Sequence, residues 1–396
     1  MSDTAIHTES TVRARYAKAA QGTQQNLCCA VPYDSRYLKA IPAEVIERDY
    51  GCGDPSRYLR PGETVLDLGS GTGKICFIAA QVVGPEGRVI GVDMTDEMLA
   101  VARNAAPAVA ESIGYANVEF RKGRIQDLAL DLDALDRTLA ARPIKDANGY
   151  LEAEGIAAGL RREAPLVASD SVDVVVSNCV LNLVDASAKR QLFEEILRVL
   201  RNGGRAVISD IVSDEEVPQA MRDDPTLWSG CVSGVFTEHG FLKAFEDAGF
   251  CGIRVLDYGA TPWQTVEGIE FRSVTVEAFK GKQGACFDRN QAVIYKGPFK
   301  EVVDDDGHRM ERGKRYAMCA KTFGLFKRAP YRDHFLFIEP AVPVSPFEAA
   351  PWDYTRSPLR DPRETKGGRI EANADGQPAA ETESGAACCA PPTCCG

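Results

Sequence analysis

The stretch Val65-Leu-Asp67-Leu-Gly69-Ser-Gly71-Thr-Gly73 decides the fold. A short apolar run ends in three glycines at alternate positions, and a helix-like segment, Lys74–Val83, follows at once. Glycine permits a sharp turn and lets backbone N–H groups approach a ligand at a helix N-terminus. Working outward, Arg88–Asp93 reads as a second strand, Asp96–Ile113 as an amphipathic helix and Asn117–Gly123 as a third strand. Ser171–Asn178 is a fourth strand, Ala186–Leu200 a helix and Gly204–Ile211 a fifth strand. Strands and helices alternating at these lengths predict a parallel, doubly wound α/β sheet with right-handed crossovers. Helix Glu238–Ala248, strand Gly252–Gly259 and strand Phe271–Phe279 complete it.

The flanks divide the chain further. Residues 1–60 read as an N-terminal helical segment, with helices near Thr11–Gln21 and Asp34–Tyr50, the pair Cys28-Cys29 between them, and the loop Tyr50-Gly-Cys-Gly-Asp54. The sheet domain spans 61–280, with a helical insertion at about 128–168 that is too long for a plain connection. A small, mainly β domain is expected over 281–345. Residues 346–396, rich in Pro, Gly, Ala and Glu, read as a Cys-containing flexible tail.

Composition excludes several classes of partner. The chain carries 46 basic and 57 acidic side chains, a net charge of −11, which disfavours nucleic acid and anionic membrane surfaces. No apolar run reaches the ~18 residues of a transmembrane helix. The polar amino terminus has no secretory pattern, so a cytoplasmic, reducing location is expected. Thirteen cysteines stand against four histidines, and an odd number cannot pair completely within one chain. No C-x-x-C occurs, and His7, His239, His308 and His334 are scattered, so the common zinc spacings are absent. Asp304-Asp-Asp-Gly-His308 reads as a turn.

The glycine loop differs from the dinucleotide fingerprint G-x-G-x-x-G. Its spacing is G-x-G-x-G, with Asp67 two residues before Gly69 and a second acid, Asp93, ending the next strand. Asp67 is placed for an amino group and Asp93 for ribose hydroxyls. The bland reading is a structural turn or a different nucleotide site. Gly69, Gly71 and Gly73 with both acids resemble the S-adenosylmethionine site of class I methyltransferases. That resemblance implies a Rossmann-like fold, with Met94 and Ile125 near the adenine and Asn178 at the carboxyl edge of the sheet.

The cysteines make the resemblance narrower. Cys52 lies between two glycines, Cys179 follows the fourth strand and Cys231 sits in Leu227-Trp-Ser-Gly-Cys-Val-Ser-Gly234 after the fifth. A buried small hydrophobe is the default for any cysteine, and it is the expectation for Cys76, Cys251, Cys286 and Cys319. The segments YGCG, SNCVLNL and LWSGCVSG, with Cys28-Cys29 upstream, resemble the arsenite S-adenosylmethionine methyltransferases from Cys28 to Lys282. The resemblance implies arsenic(III) bound as substrate at Cys52, Cys179 and Cys231, with Cys28 or Cys29 joining a thiol relay. It implies arsenic detoxification, a reductant such as thioredoxin or glutathione, and a monomer. The long insertion departs from the family pattern. Soft arsenic(III) prefers thiolates, and its lone pair needs no general base, so positioning dominates. A thiol pair can afterwards restore the trivalent state by forming a disulfide. The alternatives are a class I methyltransferase for a small organic acceptor and a metalloid-sequestering protein. Cys388, Cys389, Cys394 and Cys395 read either as accessory capture ligands or as plain tail.

Overall fold

A computed structural model describes residues 3–22, 31–48, 50–224, 227–228 and 232–367. They form two units, one running to Gly284 with residues 305–307 added, the other holding 285–304 and the chain from His308 onward.

The first unit is built on a nine-stranded sheet. Its strands are β1 (Thr64–Leu68), β2 (Arg88–Asp93), β3 (Val118–Lys122), β4 (Val172–Asn178), β5 (Leu200–Ser213), β6 (Phe236–Thr237), β7 (Cys251–Tyr258), β8 (Gln264–Val266) and β9 (Ile269–Phe279). The order is β3-β2-β1-β4-β5-β9-β7, with β6 beside β5 and β8 beside β9. The strands β1 to β5 pair in parallel, and β9 runs antiparallel between β5 and β7. This is a doubly wound α/β sheet in which β9 is inserted antiparallel between β5 and the edge strand β7. Val174, Val175 and Val176 are wholly buried, as expected for a strand covered by helices on both faces.

The helices are α1 (Asp3–Ala19), α2 (Ser35–Leu38), α3 (Ala43–Glu47), α4 (Lys74–Val83), α5 (Asp96–Ile113), α6 (Leu132–Ala141), α7 (Ala147–Glu163), α8 (Lys189–Val199), α9 (Gln219–Arg222) and α10 (Glu238–Asp247). The single helix expected over Asp34–Tyr50 is two short ones, because Pro42 lacks the N–H that continuation requires and instead caps α3. The first helix starts earlier than its apolar pattern suggests. The insertion is a helical hairpin, and Asp131 and Asp146 cap its two helices by accepting from Ala134 N and Gly149 N. No described helix is long and apolar enough to cross a membrane.

The second unit carries β10 (Phe287–Asp288), β11 (Ala292–Tyr295), β12 (Glu301–Val303), β13 (Arg309–Glu311), β14 (Arg315–Ala317), β15 (Phe335–Ile338), β16 (Ala350–Pro351), α11 (Ala320–Phe326) and α12 (Pro362–Thr365). Its core joins Val293, Tyr295, Met310, Phe323, Phe326 and Phe335. The flexible tail expected from residue 346 is corrected here, since the chain stays folded through Gly367. β16 pairs with β10, Leu359 bridges to Tyr316, and the buried Arg360 forms ion pairs with Asp288 at 2.6 Å and with Glu364. Charged pairing and backbone bonds hold this segment, and neither leaves an apolar period in the sequence. The last cysteines lie outside the described residues.

Candidate active site

The carboxyl edge of the sheet opens on a cavity of about 610 Å³. Its wall includes Asp67, Gly69, Ser70, Gly71 and Thr72 from the glycine loop, Asp93, Met94 and Thr95 after β2, Ile125 after β3, and Asn178 and Cys179 after β4. The loop is clamped in place: Gly69 N and Ser70 N donate to Val92 O at 2.8 and 3.0 Å. Asp93 accepts from Gly71 N at 2.9 Å and from Thr95 N at 2.8 Å. Burial raises its pKa, although those backbone bonds oppose the rise. Gly73 is not part of the wall. It caps α4 with φ 92°, and an added Cβ would come within 2.7 Å of Phe120 Cζ, so its role is to shape the turn.

This cavity fits a polar, adenosine-sized donor. Ser70 Oγ is buried without a hydrogen-bond partner among the described residues, and it belongs to the lining. A native polar atom left in this state points to a ligand. Asp67 is 2% exposed and accepts from Cys76 Sγ at 3.2 Å. Burial, with the Asp67 charge adding to it, pushes the Cys76 thiol well above its ordinary value, so Cys76 stays a protonated donor.

Part of the wall was not legible in sequence. From α1 come Glu9, Val12 and Tyr16, and Glu9 forms an ion pair with Arg124 at 2.9 Å. The insertion contributes Arg161, whose guanidinium meets Asp127 at 2.8 Å in the same wall. No family spacing announces either contact, because both join segments far apart in the chain.

The thiols converge next to this cavity. Cys52 Sγ, Cys179 Sγ and a carboxylate oxygen of Asp210 lie within 4.8 Å of one another, and all three residues are buried. Cys179 holds a left-handed backbone, φ 64°, fixed by its N–H to Ser209 O at 2.8 Å. Such a conformation is uncommon for a residue with a side chain and concentrates at functional sites. Asn178 secures the Cys52 loop. Its Oδ1 accepts from Cys52 N at 2.9 Å and Gly53 N at 3.0 Å, and its Nδ2 donates to Gly53 O and Tyr33 Oη. Asn178 thus lines the cavity, where the cofactor contact was expected of it, and its side-chain amide also holds the thiol loop.

Gly51 explains the glycine before Cys52. A Cβ there would sit 2.1 Å from Asn178 Nδ2. Gly51→Ala is therefore expected to displace the amide, loosen the Cys52 loop and lower any turnover that depends on it about 5- to 30-fold, the equivalent of one or two hydrogen bonds. Initial rates of the purified variant against wild type check this.

Asp210 is the chief residue that sequence reasoning missed. Its carboxylate accepts from Leu181 N at 2.9 Å, Asn182 Nδ2 at 2.7 Å and Ile211 N at 2.8 Å. Burial raises its pKa to about 6. An acid inside the apolar strand Ala206–Ile211 was the available signal. A raised acid favours its neutral form in the fold, so this stabilisation is present below the unfolded value near 4 and is lost as pH rises through about 6. Asp210→Asn should remove that part of the downward slope of melting temperature between pH 4.5 and 7. An unchanged slope would assign it elsewhere.

Cys231, Cys28 and Cys29 lie outside the described residues. Val232, next to Cys231, packs in one apolar cluster with Cys52 and Cys179, and Trp228 Nε1 donates to Leu183 O at 3.3 Å. Cys76, Cys251 and Cys319 are buried as expected, whereas Cys286 is only partly so.

The sequence matches the family description "Methyltransferase domain" over residues 59–249 and a domain of unknown function, DUF8838, over 282–370. An arsenite methyltransferase of Aquipseudomonas alcaligenes is 33% identical over 346 residues, covering 83% of this chain and 90% of that one. The arsenite methyltransferase of Mus musculus is 30% identical, covering 81% and 80%. The crystal structure of an arsenic (III) S-adenosylmethionine methyltransferase from Chlamydomonas reinhardtii superposes with a TM-score of 0.52 at 28% identity, covering 82% of this chain and 100% of that one. By contrast, a 2-phytyl-1,4-naphtoquinone methyltransferase of Synechococcus elongatus aligns over only 19% of this chain. With near full-length identity at this level joined to a donor cavity and adjacent thiols, the chain belongs to the arsenite methyltransferase family.

Proposed function

We propose that this enzyme transfers methyl groups from S-adenosylmethionine to trivalent arsenic held by Cys52, Cys179 and Cys231, and that arsenite and methylarsenite are its substrates. The observation that carries this reading is the meeting of Cys52 and Cys179 beside a donor cavity whose wall includes Cys179 itself. Asp67, Asp93 and the loop amides hold the donor, which supplies an electrophilic methyl group on a sulfonium sulfur. The thiolates hold arsenic in a pyramid, leaving its lone pair directed away from sulfur. No base is required, so the chain's contribution is orientation and exclusion of water. The apolar cluster of Val12, Leu183, Ile211, Val232 and Phe271 around the thiols supplies that dry surrounding. Return to the trivalent state draws two electrons from a thiol pair, with Cys28 or Cys29 in the relay and thioredoxin or glutathione as the external reductant. A monomer working in the cytoplasm fits this chemistry. The test is purified protein with labelled donor, arsenite and thiol. Labelled methylarsenicals are expected, and none would form if the acceptor were organic.

A further inference from the structure

Tyr33 stands where the donor loop and the thiols meet. Its ring faces the ammonium of Lys74, with Nζ 4.0 Å from the ring centroid. Lys74 is buried and opens α4 directly after Gly73, whose N–H donates to Ser70 O at 2.8 Å. The other end of the same side chain reaches the thiol loop. Tyr33 Oη donates to Gly53 O at 3.1 Å and accepts from Asn178 Nδ2 at 3.0 Å. Asn178 Nδ2 also donates to Gly53 O at 2.9 Å, so hydroxyl, amide and carbonyl close a triangle. Asn178 Oδ1 takes the N–H groups of Cys52 and Gly53, and Cys179 is the next residue along the chain. The backbone beside Tyr33 is pinned as well. Arg57 Nη2 donates to Pro32 O at 2.6 Å, and Arg57 Nε meets Asp54 Oδ2 at 3.2 Å. The tyrosine itself packs against the apolar clusters that hold Ile75 and Cys76 and that hold Phe77 and Ile78.

We propose that Tyr33 is a positioning residue with two separable tasks: its hydroxyl fixes the Cys52 loop against Asn178, and its ring steadies the donor loop through Lys74. The first task rests on the reading of Cys52 and Cys179 as arsenic ligands. A side-chain amide offers two N–H donors and one acceptor oxygen. Asn178 commits its oxygen to Cys52 N and Gly53 N, while Gly53 O and Tyr33 Oη accept from its nitrogen. Without the hydroxyl, a part-buried amide loses one acceptor and Gly53 O loses one donor, so the Cys52 loop gains freedom. Two sulfurs whose spacing is not held release a shared metalloid more readily. The ring acts on the other reactant. An aromatic face attracts an ammonium, the more so where water is excluded. Without that attraction the first turn of α4 is less firmly placed, and with it Ser70 and Gly71 in the cavity wall.

Tyr33→Phe keeps the ring and removes the hydroxyl, whereas Tyr33→Leu removes both. The full chain is charged with phenylarsine oxide, exposed to a competing dithiol for timed intervals, alkylated and digested without reductant. In the wild type, mass spectrometry should find the Cys52 peptide joined through phenylarsenic to that of Cys179 or Cys231. In Tyr33→Phe the bridge should form but be lost to the dithiol about 3- to 10-fold faster, as the loss of one hydrogen bond implies. Its affinity for S-adenosylmethionine, by calorimetry, should stay within about twofold of wild type, at an unchanged melting temperature. Tyr33→Leu should lose the bridge as fast and also bind the donor about 3- to 10-fold more weakly. A tyrosine that merely filled space would not divide in this way, because phenylalanine would then restore both properties or neither. Release from Tyr33→Phe at the wild-type rate, or a joint loss of bridge and donor affinity in that variant, overturns the proposal alone. A wild type whose Cys52 is alkylated and carries no bridge overturns the reading of the thiols as the arsenic site, and this proposal with it.

Discussion

Cys179→Ser is expected to lower methylation of both arsenite and methylarsenite by at least ~100-fold, about 2.7 kcal/mol of transition-state stabilisation. S-adenosylmethionine should still bind with nearly wild-type affinity. Serine has the same shape, so the left-handed backbone at position 179 and its bond to Ser209 O are retained. What changes is the donor atom. A hydroxyl oxygen is hard and protonated at neutral pH, and it cannot replace a thiolate on arsenic. One sulfur fewer also leaves an exchangeable position on arsenic beside the donor. Steady-state rates by elemental mass spectrometry, with donor affinity by calorimetry, check both halves. Turnover within about threefold of wild type, under 1 kcal/mol, would remove Cys179 from the substrate site.

Asp93→Ala is expected to weaken S-adenosylmethionine binding by about 10- to 100-fold, the usual cost of hydrogen bonds to a charged group. Each carboxylate oxygen of Asp93 already accepts one backbone N–H, from Gly71 and from Thr95. Each oxygen keeps a further lone pair, and the residue lines the donor cavity, so these remain for a ribose diol. Alanine removes both acceptors and leaves the Gly71 and Thr95 amides without a partner, which also loosens the loop. The effect should fall mainly on donor affinity, while turnover at saturating donor declines less. Calorimetric titration with S-adenosylmethionine measures it, and an unchanged dissociation constant would place the ribose elsewhere.

What could be read from sequence was the part dictated by local chain chemistry. The glycines of Val65–Gly73 and the buried valines of β4 carry their conformations with them, so the sheet and the donor loop were legible. The thiols were legible through the turns that hold them, since Gly51 and Gly53 flank Cys52 and the end of a strand precedes Cys179. Long-range pairing was not. Arg161 meets Asp127 only once the insertion has folded back, and Glu9 meets Arg124 only when α1 lies across the sheet edge. The folded segment 346–367 was missed for a related reason, because Arg360 is buried by Asp288 and Glu364 rather than by an apolar face. Position along a strand placed Asn178 at the cavity wall, but it could not show that the side-chain amide also fastens the Cys52 loop.

That amide has a consequence for affinity. Cys52 and Asn178 are 126 residues apart in the chain, yet one side chain fastens the Cys52 loop to the residue preceding Cys179. The entropy of closing so long a loop is met when the protein folds. At the proposed arsenic site, a second sulfur would therefore attack at a high effective concentration once the first has captured the metalloid, much as a linked second binding module would. A loosened loop would still offer the same sulfurs, but at lower local concentration, and arsenic would escape more often to competing thiols in solution.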